Sequence, residues 1–81
     1  MKWQVEYTDT FGGQANYSWV ERHVLDDVDG RLTERALVRR AKALVGLNSV
    51  RGESAWVGDT YEFRPHNVCA VLFVYPIDLD E

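Results

Sequence analysis

The residues on which catalytic and metal chemistry is most often built are scarce here: one cysteine and two histidines among 81 residues. A lone cysteine excludes an intrachain disulfide and suits a reducing compartment. His66 and Cys69 lie three apart, but a zinc site needs about four ligands and the only other candidate is His23. They read as a turn histidine and a small buried hydrophobe. No serine stands in a nucleophile-elbow sequence, and Gly12-Gly13 does not lead into a helix, so neither acyl transfer nor a phosphate cradle is indicated. The carboxylates are scattered or clustered in loops and tail, with no apolar pocket in view to separate their pKa values. The expectation is a chain that is not an enzyme and takes neither cofactor nor metal.

Long apolar runs are also missing. None approaches the roughly 20 residues of a membrane span, and Met1-Lys2-Trp3-Gln4 opens directly into a strand pattern without a signal core. These features lead to the expectation of a cytoplasmic protein, in which the Asn16-Tyr17-Ser18 glycosylation triplet has no meaning. Positive charge is in the minority, nine basic against thirteen acidic residues for a net charge of −4, which disfavours broad contact with nucleic acid. Repeats, low-complexity tracts and linkers are lacking, so the chain is expected to form one domain. The acids Asp26, Asp27 and Asp29 before Gly30 resemble part of a calcium loop. In that alignment, however, Leu25 and Ala36 occupy the two ligand positions that matter most.

What is present is 46% hydrophobic residues and ten aromatic ones, more than so small a core can hide completely. Trp3, Val5 and Tyr7 alternate with polar neighbours as in a strand with one buried face. Asn16 to Val24 alternates less cleanly, and either of its faces could turn inward. The turn at Phe11-Gly12-Gly13-Gln14 decides, because a one-residue slip exchanges the two faces of a strand. A two-residue Gly-Gly turn pairs Phe11 with Gln14, Val5 with Val20 and Glu6 with Trp19, leaving Tyr17 and Trp19 outside among Gln4, Glu6 and Glu21. A three-residue loop would place both rings beside Val5 and Tyr7. The two-residue register is the preferred reading.

Thr33 is the expected N-cap of a helix, with Glu34 in the first turn, Leu32 and Leu37 as a hydrophobic staple, and Gly46 just beyond the end near Val45. Its apolar arc is Leu37, Val38, Ala41, Leu44 and Val45, with Arg35, Arg39 and Lys42 opposite. An irregular segment from Val50 to Val57 follows, then a short strand from Thr60 to Arg64. The apolar run Val68 to Tyr75 is the candidate central strand, ended by Pro76 before an acidic tail. The fold class is α+β: a small antiparallel sheet in ββαββ order, with room for one extra short strand, and one amphipathic helix on one face.

The run Glu6 to Val20, EYTDTFGGQANYSWV, together with the helix and the Arg64-Pro65 pair before an apolar strand, resembles small proteins encoded by bacteriophages. The resemblance implies an accessory factor acting on a host protein in the host cytoplasm, a group that includes inhibitors of host defence such as anti-CRISPR proteins. It brings no catalytic residues. Taken with the exposed aromatic pair, it leads to the expectation of a protein-binding module using Tyr17, Trp19, Glu6 and Glu21. Nucleic-acid binding through Arg35, Arg39 and Lys42, and a structural homodimer, are the alternatives.

Overall fold

The computed structural model describes residues 1–27, 30 and 32–77. The expectations placed on Asp29 and on the acidic tail from Asp78 to Glu81 lie outside the described residues. The elements in chain order are β1 (Lys2–Phe11), β2 (Gln14–Asp26), α1 (Glu34–Leu44), β3 (Gly52–Val57), β4 (Thr60–Pro65) and β5 (Ala70–Ile77). They form a five-stranded antiparallel sheet in the order β2-β1-β5-β4-β3, with the helix on one face. The C-terminal strand, nearly continuous in apolar sequence, lies at the centre between β1 and β4.

Local signals fix the helix. Thr33 sits in extended backbone and its Oγ1 accepts from Ala36 N at 3.1 Å, while Glu34 occupies the first turn. At the far end Gly46 adopts φ +78, and Leu47 N returns to Lys42 O at 2.8 Å. Leu37 and Ala41 are buried against Val5, Tyr61, Phe63, Leu72 and Val74, one inward face drawn from each of β1, β4 and β5.

Three sequence expectations need correction. The segment from Val50 to Val57 is not irregular throughout, because Gly52 to Val57 pairs in regular register with β4 across the Gly58-Asp59 turn. Pro76 does not end β5, which continues to Ile77. Thr10 N donates to Cys69 O, so by alternation the Trp3–Pro76 pair is one that exchanges no hydrogen bonds. Pro76 therefore directs its missing donor away from β1, to a level that the paired residues of β4 do not reach. Cys69 is exposed, not buried, because the strand begins one residue later and Cys69 belongs to the preceding bend.

The fourth correction concerns the hairpin register. The turn is the two-residue one, with both glycines at positive φ (63 and 84) and Phe11 facing Gln14. Beyond Thr10–Ala15, however, the pairing jumps to Thr8–Val20, and Asn16, Tyr17, Ser18 and Trp19 stand opposite Asp9 alone. Val5 consequently faces His23 in place of Val20, a three-residue displacement, and Glu6 faces Arg22 in place of Trp19. An odd displacement exchanges the two faces of β2.

Leu37, 2% exposed, is the helix residue whose truncation should cost most. Leu37→Ala is expected to remove about 2–5 kcal/mol of stability in urea titration, whereas Arg39→Ala on the solvent side should stay within about 0.5 kcal/mol of wild type.

Candidate functional site: the uncovered sheet face

The bulge that displaces the register is held by two side chains of β1. The Asp9 carboxylate accepts from Ser18 Oγ at 2.6 Å, Ser18 N at 2.9 Å and Asn16 Nδ2 at 3.0 Å. Thr8, fully buried, accepts from Tyr17 N at 3.1 Å and donates to Trp19 O at 2.8 Å. Backbone groups that lose their ladder partners in the bulge thereby regain them from side chains. The hydrogen bonds from Ser18 and Asn16 hold the Asp9 carboxyl well below the usual carboxylate range.

Tyr17 sits at the crest of this bulge with φ 57, the one non-glycine residue with positive φ among those described. A left-handed tyrosine costs about 1–3 kcal/mol and persists only where its surroundings impose it. The conformation carries the ring to the sheet face opposite the helix, where Tyr17 OH donates to Glu6 Oε1 at 3.0 Å. Glu6 Oε2 accepts from Arg22 Nε at 2.9 Å. Although Glu6 is only 8% exposed, both of its oxygens are thus engaged. Tyr17, Glu6, Thr60, Phe73 and Tyr75 line a shallow depression of about 360 Å³. At one end of this face the hairpin tip bends over the sheet, and Arg64 Nη1 donates to Gly13 O at 2.8 Å.

Desolvation raises the Tyr17 phenol above its ordinary pKa, and the hydrogen bond to Glu6 adds to the effect. Burial followed by the Glu6 charge does the same for Tyr75. On the other side of the sheet burial raises Tyr7, followed by the charge of Glu21.

The four residues expected to form one contact surface are divided between the two faces. Tyr17 and Glu6 share the uncovered face. Trp19 packs edge-on against Tyr7 on the helix side, with ring centroids 5.2 Å apart, and Glu21 faces Tyr7 across the ladder. Trp19 remains 44% exposed and Tyr17 48%, so both rings reach solvent in opposite directions. Glu6, expected outside, is buried by its position on an interior strand beneath Tyr17 and beside Arg22. In the basic stripe, Arg35 and Arg39 are exposed, while Lys42 lies 3.8 Å over the Phe63 ring as a cation–π contact. Phe73, Tyr75 and Thr60 were not anticipated. The available signal was that Val71, Phe73 and Tyr75 make the second face of β5 as apolar as the first.

Among the described residues, no three His, Cys, Asp or Glu side chains gather closely enough to hold a metal ion, and no helix is long and apolar enough to cross a membrane. Compared with family models, curated proteins and solved structures, the chain matches none.

Two pH dependences follow. Because the Asp9 pKa is lowered on folding, its contribution is present above the ordinary carboxylate value of about 4 and is lost as pH falls toward the folded-state value. Protection of the Ser18 amide, relative to an unstructured amide at the same pH, should therefore fall below pH about 4, and Asp9→Asn should remove that acid dependence. At the alkaline end, tyrosines whose pKa is raised by folding stabilise below about pH 10 and cease to do so as pH rises through their folded values. Absorbance titration should show tyrosines ionising above about pH 10, one fewer of them in Tyr17→Phe.

Proposed function

We propose that this chain is a non-enzymatic protein-binding module whose uncovered sheet face receives a basic segment of a partner protein. The observation that carries this reading is Tyr17, held in a strained left-handed conformation that stands its ring over the buried Glu6 carboxylate. Strain of this kind concentrates at ligand sites, and the fold has no need of an exposed tyrosine there. The rings of Tyr17, Phe73 and Tyr75 around a carboxylate suit an arginine or lysine side chain, through cation–π contact and residual negative potential. The net charge of −4 favours the same partner class by steering. Trp19 and Glu21 lie across the sheet, so a partner engaging all four residues wraps the β2 edge. The resemblance of the hairpin to bacteriophage-encoded proteins points to a host protein as that partner, with inhibition of host defence as one form of the activity.

Tyr17→Gly separates folding from binding, because glycine adopts φ 57 without penalty while the ring is lost. Its thermal midpoint should stay close to that of wild type. Binding of an arginine- and lysine-rich peptide, followed by amide chemical shifts, should weaken about tenfold or more. In wild type the shifts should map to Glu6, Thr60, Phe73 and Tyr75. Shifts confined to the helix side, or a Tyr17→Gly variant that binds like wild type, would overturn the reading.

A further inference from the structure

The two edges of the sheet are protected very differently. β2 is bulged and carries Glu21, Arg22, His23 and Asp26, the devices that keep an edge from pairing with another strand. β3 has one charged residue, Glu53, no proline and no irregularity, and its exposed side chains include Trp56 (39%) and Val57 (61%). Across the Gly58-Asp59 turn Val57 and Thr60 form the closing pair, so Glu53, Ala55 and Val57 direct their peptide groups at β4. Two observations agree. Gly52 faces Pro65, which has no donor to give, and the next pair outward is bonded, His66 N to Arg51 O at 3.0 Å. Gly52, Ser54 and Trp56 therefore present their N–H and C=O groups outward with no strand beside them.

From this arrangement we infer that β3 is a self-association edge, pairing antiparallel with β3 of a second copy about a two-fold axis at Ser54. That register keeps both helices on one side of a continuous sheet and matches outward-facing groups only with outward-facing groups. Ser54 faces Ser54, and Gly52 and Trp56 face one another in both directions, giving about six main-chain hydrogen bonds. Each Trp56 stands opposite Gly52 of the second copy, whose face is covered by the Phe63 ring, an apolar neighbour for the indole. Charges also favour this occupant. Glu53 faces Ala55 and Arg51 faces Val57, so no like charges are directly opposed, and Arg51 has Asp59 of the second copy on its diagonal. The two Glu53 carboxylates meet only across the other diagonal, exposed to solvent. This inference is independent of the open-face proposal, since it uses main-chain groups at the far edge of the sheet.

Sedimentation of the full chain from micromolar to millimolar concentration tests it. The weight-average mass should rise from 9.3 kDa toward twice that value. Ser54→Pro deletes an outward donor that β4 does not use, and should stay monomeric with an unchanged thermal midpoint. Should proline disturb the strand, a second pair of variants decides at an exposed site. Ala55→Glu opposes Glu53 of the second copy and should raise the dissociation constant about tenfold, whereas Ala55→Lys should lower it. A wild-type chain that stays monomeric throughout, a folded Ser54→Pro variant that associates normally, or an equal response to Ala55→Glu and Ala55→Lys would each overturn the inference.

Discussion

One carboxylate governs the architecture of this protein. Asp9 stands alone opposite four residues of β2 and supplies acceptors to the amides and hydroxyl that the bulge sets free, while Thr8 completes the set from the other side. Without such acceptors a bulge this large leaves backbone donors without partners, and the hairpin is better off in plain register. With them the strand gains an odd offset, every side chain of β2 beyond the bulge changes face, and the hairpin tip bends over the sheet to meet Arg64.

The position of the candidate site follows from that offset. In plain register Tyr17 and Trp19 would project together from the polar side. The bulge instead turns Tyr17 over Glu6 on the uncovered face and sends Trp19 to Tyr7 on the helix side. Arg22 arrives opposite Glu6 for the same reason, and a carboxylate on an interior strand acquires the cationic partner and phenolic donor that offset the cost of its burial. The helix meanwhile covers only one side of a central strand that is apolar on both, leaving Phe73 and Tyr75 to form the walls of a depression. Helix face and open face are thus distinct environments built on the same two central strands. The first is a packed core and the second a mixed aromatic and charged surface.

Features governed by neighbours in the chain were legible in advance, and features governed by distant partners were not. Thr33, Glu34 and Gly46 mark the helix ends because capping is a contest between side chain and backbone within one turn. Gly12-Gly13 specified its turn because two consecutive residues at positive φ leave little choice of residue type. The apolar composition of Val68 to Tyr75 announced a central strand, although its start at Ala70 and its continuation through Pro76 depended on which ladder side each residue occupied. The bulge left no comparable mark, since an aspartate in a strand reads as one more polar position until its acceptors are seen to meet donors seven to ten residues away.

By itself the sequence determined the fold class, the helix with both of its ends, the tight glycine turn and the central place of the last strand. Each of these is set by periodicity or by contacts within a few residues. Only the tertiary structure decided the hairpin register, the strand order, the burial of Glu6 and the separation of Tyr17 from Trp19. These depend on side chains satisfying backbone groups across strands, and such pairings have no signature in local pattern until the strands lie side by side.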